Sequence, residues 1–196
     1  GHQDCGSFEL HYDGQPIIID PGRGQYGDDG DAVRYRSAQM HNSITIDGAD
    51  PYPANRPYYD DGFRRKTCGR PPSIDSFECD VSLTFEGLSR LKGVGQVKRR
   101  WSFDADHVHL TDNVTGTKTA TIERRLITHH DVASDGATAK IRAEDHLFEI
   151  TADDGTMELR PAVRWTAYGR GEAATEILIR TRAALTWSSQ LQIRAL

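Results

Sequence analysis

Residues 7–19 read Ser-Phe-Glu-Leu-His-Tyr-Asp-Gly-Gln-Pro-Ile-Ile-Ile. On an extended chain Phe8, Leu10 and Tyr12 share one face and Ser7, Glu9 and His11 the other, the alternation of a half-buried strand. Asp13-Gly14 is a strong hairpin signal. Ile17, Ile18 and Ile19 then make a return strand that is apolar on both faces, and so expected in the centre of a sheet. The pattern recurs downstream. Over 41–47, Asn42, Ile44 and Ile46 alternate with His41, Ser43, Thr45 and Asp47 before Asp47-Gly48 closes the strand. Residues 77–85, 96–103, 107–114, 119–128, 138–143, 147–151, 157–165, 176–181 and 184–193 are further short β-patterned stretches bounded by Asp, Gly, Asn or Pro. No stretch keeps a helical period. The expected fold class is therefore all-β with little helix, an antiparallel multi-stranded β-sandwich occupying residues 1–196 as one domain.

Two regions break the pattern. Residues 20–36 are rich in Gly and Asp, and a structureless loop of that length inside a compact domain is usually functional. Residues 50–72 carry five prolines, with Tyr52, Tyr58, Tyr59 and Phe63 among Arg56, Arg64, Arg65, Lys66 and Arg70. Aromatic and basic side chains of this kind suit the lining of a glycan cleft, or the packing face of another domain.

The formal charge of −5 argues against nucleic acid, whose ligands are normally basic. No apolar run reaches the roughly 18–20 residues of a membrane-spanning helix. Nineteen of the 24 basic residues are Arg, which suits fork-like recognition of carboxylate or sulfate but equally reflects codon bias. Gly1 is not an initiator residue, so the chain is expected to begin inside a larger polypeptide, after a removed signal, or after a tag. Cys68 and Cys79 could pair in an oxidising compartment, with free buried thiols the alternative, and Cys5 would be left over.

Three residues in the first forty-one can hold a borderline divalent metal: His2 before the first strand, Asp20 after the second, and His41 at the start of the next. Two imidazoles and one carboxylate suit Zn2+ with a fourth position open. A plain hairpin register about Asp13-Gly14 sets Asp20 opposite Ser7, so His2 reaches it only if the first residues fold back. By spacing alone, three unrelated polar groups near strand ends remain the alternative.

The strings GHQDCGSFELHYDGQPIIIDPG at 1–22 and RYRSAQMHNSITIDG at 34–48 resemble the signature of the heparinase II/III family of polysaccharide lyases. That signature reads roughly G-H-x-D-x-x-S-F, then D-P-G, then R-S-x-x-x-H-N and a closing D-G. The resemblance implies a supersandwich-like β domain that packs against an N-terminal α/α toroid, here absent, with an acidic polysaccharide in the cleft between them. It implies Zn2+ held by His2, Asp20 and His41, with Asp4 behind them orienting an imidazole or pinning the loop. The implied reaction is β-elimination on a uronic-acid-containing polysaccharide.

On the same resemblance, the loop after Asp-Pro-Gly supplies a catalytic tyrosine, for which Tyr26 and Tyr35 are the candidates. A further histidine of the family would precede Gly1, and the principal Tyr, Asn and His belong to the toroid, so the chain alone is expected to be inactive. Homodimerisation and a periplasmic or secreted location are also implied. Substrate contacts are expected from Arg34 and Arg36, with tethering of Arg36 to Asp28, Asp29 or Asp31 as the alternative, and from Asn42, whose alternative role is pinning backbone.

His129 and His130, adjacent on a strand, are expected to face opposite sides and to be structural. His107 and His109 share a face but have no carboxylate at a diagnostic spacing, which leaves them a weak second metal candidate. Two other functions compete with the lyase domain. One is a non-catalytic carbohydrate-binding or structural sandwich with a zinc site, and the other is a zinc-dependent hydrolase.

Overall fold

The computed structural model describes residues 2–54, 61–62 and 71–196. Along the chain come β1 (Leu10–Tyr12), β2 (Gln15–Ile18), a short helix α1 (Gly30–Arg34), β3 (Ile44–Ile46), β4 (Ser73–Phe77) and β5 (Asp80–Phe85). After these follow β6 (Val94–Phe103), β7 (His107–Gly116), β8 (Thr119–Thr128), β9 (Asp131–Ser134), β10 (Thr138–Ala143) and β11 (His146–Ala152). The last three are β12 (Thr156–Ala167), β13 (Arg170–Ala184) and β14 (Trp187–Ala195).

Eight strands form one sheet in the order β4-β5-β6-β7-β14-β11-β10-β9, and four form the other in the order β12-β13-β8-β3. All pairings are antiparallel. The sandwich core joins Ile44, Ile46, Ile122 and Ile177 of the smaller sheet to Phe85, Val97, Leu110, Ile141 and Leu191 of the larger. Each such side chain, taken out of water, contributes about 1.5–3 kcal/mol. Among the described residues, no helix is long and apolar enough to cross a membrane.

On β6 the period of two is plain: Val97, Arg99 and Trp101 are buried while Lys98 and Arg100 are exposed. Arg99 is thus a charge at a core position. Its register partner on β7 is Asp112, equally buried, and the pair closes through Nε to Oδ1 at 2.7 Å. Paired in this way, the two charges avoid the cost of lone burial.

Several local expectations change. The first strand begins at Leu10 rather than Ser7, because the Phe8 carbonyl is taken by the Asn42 side chain and a bulge interrupts the pairing at Leu10 and His11. The Ile17–Ile19 run is not a central strand: β2 pairs with β1 alone. Ile17 and Ile18 are buried instead by packing against β8 and β10, one strand from each sheet. Only Ile44–Ile46 of the 41–47 stretch is strand, and Thr45 is buried beside its neighbours because its hydroxyl accepts from Arg125 Nη1 at 3.1 Å. Residues 20–36 are not structureless, since they contain α1. The edge strands β4 and β9 carry no alternation strong enough to be singled out in the sequence; β4 is exposed throughout.

Candidate metal centre and adjoining loop

Two buried polar side chains fix the chain segments that carry the predicted ligands. Asn42, fully buried, donates from Nδ2 to the carbonyls of Phe8 at 2.7 Å and Ile19 at 2.8 Å, and its Oδ1 accepts from the Ile127 amide at 2.8 Å. One amide thereby ties the β1–β2 hairpin and the end of β8 to the residue after His41. Arg99 donates from Nη1 to Gly6 O at 2.6 Å and to Asn42 O at 3.2 Å. Gly6 has φ +83°, and a Cβ there would lie 2.8 Å from Arg99 Cδ, so a larger residue would push the guanidinium off its partners. The Gln3 amide donates to Arg36 O at 2.7 Å and draws the first residues back over the loop. That fold-back carries His2 to Asp4 and His41.

Asp20 and Asp4 then converge on His41, and His2 on Asp4. Nδ1 of His41, itself fully buried, lies 2.9 Å from Asp20 Oδ2 and 3.7 Å from Asp4 Oδ2. His2 Nδ1 lies 3.7 Å from the same Asp4 oxygen, and the two imidazole rings are 4.7 Å apart. Donor atoms of His2, Asp4 and His41 fall within 4.8 Å of one another. Asp4, rather than Asp20, thus completes the close three-donor group with the two histidines, and Asp20 reaches it through His41.

Electrostatics follow from this crowding. Burial raises the pKa of Asp20, but the hydrogen bond and charge of His41 and the Gly22 amide outweigh it and hold the carboxyl below its usual value. Asp4 is lowered in the same way, burial being overcome by His2 and His41. For His41 burial works downward, and the bond to Asp20, its charge and the Tyr35 carbonyl win, so the imidazole is raised.

The donor set fits a divalent ion. His41 Nε2 lies 2.9 Å from Tyr35 O, an acceptor, so Nε2 carries the hydrogen and the neutral ring turns its Nδ1 lone pair toward two carboxylates. Lone pair and carboxylates repel unless a positive charge lies among them, either a proton or a metal ion.

The loop leaving Asp20 is clamped by the β12–β13 hairpin: the Trp165 amide near the end of β12 donates to Pro21 O at 2.7 Å and the Gly169 amide in the turn to Gly24 O at 2.9 Å. A Cβ on Gly24 would lie 2.6 Å from the Trp165 ring, so this close approach requires glycine. The two tyrosine candidates part company here. Tyr35 packs edge-on against Trp165 with ring centres 5.3 Å apart, whereas Tyr26 is 70% exposed. Arg23 caps Tyr26 at 4.3 Å, and Tyr168, also exposed, lies parallel to it at 6.2 Å. Tyr168 was missed from sequence, because a lone tyrosine in a hairpin turn has no spacing that ties it to residue 26.

Arg34 is exposed at the end of α1 and borders a cavity of about 130 Å3 with Gln39, Arg125, Arg160 and Glu176. Arg36 bonds Asp28 at 3.2 Å, as its alternative role anticipated, while its Nε and Nη2 have no partner among the described residues. Asn42 is spent on backbone and has no surface to offer a substrate.

Comparison with known proteins matches residues 1–192 to the family described as "Heparinase II/III-like, C-terminal". The chain belongs to this family. A search of curated proteins finds no match. Among solved structures, a heparan sulfate lyase HepC mutant from Pedobacter heparinus superposes with TM-score 0.78 at 14% identity, covering 100% of this chain and 31% of that one. The heparinase III BT4657 gene product gives 0.74 at 15%, covering 100% and 30%. At such identities the likeness shows the fold, and the chain spans about 30% of those proteins' length.

Other sequence expectations fare differently within this member of the family. His129 and His130 do not face apart: they lie in a bend just after β8, and their rings are 4.1 Å from each other. His130 Nε2 bonds Pro16 O at 3.0 Å, a structural tie to the hairpin. Cys5 and Cys79 are free, and burial pushes the Cys5 thiol up to about 11. Cys68 and nearly all of the aromatic and basic stretch at 58–70 lie outside the described residues.

Proposed function

We propose that this chain is the metal-bearing β-sandwich of a polysaccharide lyase that cleaves uronic-acid-containing polysaccharide by β-elimination, in partnership with an N-terminal α/α toroid domain. The observation that carries the reading is the meeting of His2, Asp4, Asp20 and His41 in one corner of a heparinase II/III-like C-terminal domain. The printed names of its structural relatives, heparinase III and heparan sulfate lyase, favour an acidic polymer as substrate. On this reading the protein works in the periplasm or outside the cell.

Elimination removes the proton at C5 of the uronate and expels the oxygen at C4, leaving a C4–C5 double bond. The departing oxygen takes a proton, and charge building beside the carboxylate must be neutralised. Tyr26 is the sandwich's group for proton transfer, since its ring is exposed in the clamped loop while Tyr35 is committed to packing. Arg34, exposed at the end of α1, is the guanidinium that meets the uronate carboxylate, while Arg36, its free edge buried and Nη1 held by Asp28, braces the loop. His2, Asp4 and His41, with Asp20 beside them, would hold Zn2+, which would supply a fixed positive charge at the base of the loop.

The purified chain is expected to contain zinc, one equivalent of which is lost in Asp20→Asn and His41→Gln. Equal metal content in wild type and variants overturns the site. Joined to its toroid domain, the protein is expected to release products with the ultraviolet absorption of the new double bond, and Tyr26→Phe to suppress that release. A binding module is the second reading, favoured by the exposed parallel rings of Tyr26 and Tyr168. Polymer binding without unsaturated products supports it, and cleavage without unsaturated ends supports a hydrolase.

A further inference from the structure

The turn between β6 and β7 brings together three metal-ligating side chains that the proposed lyase chemistry does not use. His107 and His109 lie two apart on β7, which puts them on one face, and the chain reverses just before them through Asp104. The Asp104 carboxylate, unremarkable in sequence because no spacing rule ties it to a His-x-His pair, faces both imidazoles. Its Oδ1 lies 3.3 Å from His107 Nδ1 and its Oδ2 3.7 Å from His109 Nε2. The two rings are parallel within 2° and 5.8 Å apart.

Each carboxylate oxygen thus addresses one imidazole nitrogen, at or slightly beyond the spacing of donors on a shared ion. With metal–ligand bonds of about 2.0–2.2 Å, donor atoms around a tetrahedral Zn2+ stand about 3.3–3.5 Å apart. Drawing the two nitrogens onto one ion needs the His109 ring to swing toward His107, which a quarter-exposed side chain on a sheet face permits. His109 also lacks a better use for its nitrogens. Nε2 is beyond hydrogen-bond reach of Asp104, and Nδ1 is buried without a partner among the described residues.

The neighbouring strands do not oppose a cation. His109 stands opposite Ser102 on β6 and Gln192 on β14, both neutral. Arg194 stands opposite His107, but its guanidinium is held by Glu149 at 3.1 Å. Asp104 is 61% exposed, so water can complete the coordination.

We infer that Asp104, His107 and His109 form a second divalent-cation site, selective for borderline ions such as Zn2+ or Ni2+ over Ca2+ or Mg2+. Imidazole nitrogens suit the former, and one carboxylate alone does not satisfy the latter. The site is independent of the His2 and His41 cluster: it uses one hairpin on the outer face of the eight-stranded sheet.

The test is a titration of the chelator-stripped chain with Zn2+ by calorimetry and with Co2+ by visible absorption, which reports nitrogen and oxygen ligation. Asp104→Asn and His109→Gln are each expected to remove one equivalent of binding or weaken it at least tenfold, with unchanged circular dichroism. Asp20→Asn is expected to leave that equivalent in place. If Asp104→Asn and His109→Gln bind both metals with wild-type stoichiometry and affinity, the second site does not exist. Loss confined to Asp20→Asn leaves the first centre standing and removes only the second.

Discussion

The two candidate metal clusters are built in opposite ways. Around His41 the donors come from three chain segments, and the ring at the centre is fully buried against the half-buried carboxylates of Asp4 and Asp20. At the β6–β7 turn the donors come from six consecutive residues, and Asp104 faces solvent. The first cluster exists only if the sandwich is assembled around Arg99 and Asn42, while the second needs little more than its hairpin. Disturbing the scaffold should therefore unmake the first and spare the second.

The largest effect is expected from Arg99→Ala. It leaves Asp112 charged, buried and alone, a loss of about 3–5 kcal/mol, and releases the Gly6 and Asn42 carbonyls. Denaturant unfolding should show the drop. The matching substitution at Arg100, whose bond to Asp80 lies at the surface, should leave the midpoint where it was. Asn42→Ala comes next. It orphans the Phe8 and Ile19 carbonyls and the Ile127 amide and should cost about 3 kcal/mol, at about 1–3 kcal/mol for each buried group left unpaired. Metal should also be lost from the first cluster, and a variant that keeps both stability and zinc would contradict the stapling role.

A smaller effect concerns pH in the metal-free chain. Asp20 contributes stability that is complete above its unfolded value of 3.8 and is lost as pH falls through its depressed folded value. His41 contributes stability that is complete below its unfolded value of 6.5 and is lost as pH rises through its raised folded value. Their joint contribution is thus greatest between pH 3.8 and 6.5. Thermal unfolding of chelator-treated Asp20→Asn should lack the falls that wild type shows on the acid and alkaline sides of this range. The smallest effect belongs to His109→Gln, expected to change stability by no more than about 0.5 kcal/mol as an ordinary surface substitution. A destabilisation as large as that of Asn42→Ala would mean that the hairpin cluster is structural.

Much of this was legible along the chain, for reasons that differ by residue. The long strands of the sandwich declare themselves because one face of each is buried, so the period of two is written into β6, β7 and β8. Ile17 and Ile18 misled because an apolar run signals burial without saying what does the burying; here it is the rims of two sheets, not flanking strands. His2, Asp20 and His41 could be chosen for their chemistry and their match to a family signature. Their meeting could not be read from spacing, because it depends on the fold-back at Gln3 and the bulge at Leu10.

Residue types and alternation by themselves determined an all-β sandwich, a set of candidate donors, and the absence of a basic footprint for nucleic acid. These are local properties, set by which side chains avoid water and which can bind a cation. Tertiary structure alone decided that Asp4 stands among the donors, that Asn42 is a staple, that Tyr26 rather than Tyr35 faces solvent, and that Asp104 joins two histidines. Each of these depends on atoms brought within a few ångströms by strand register and loop packing, and register is settled only when both sheets close over the core.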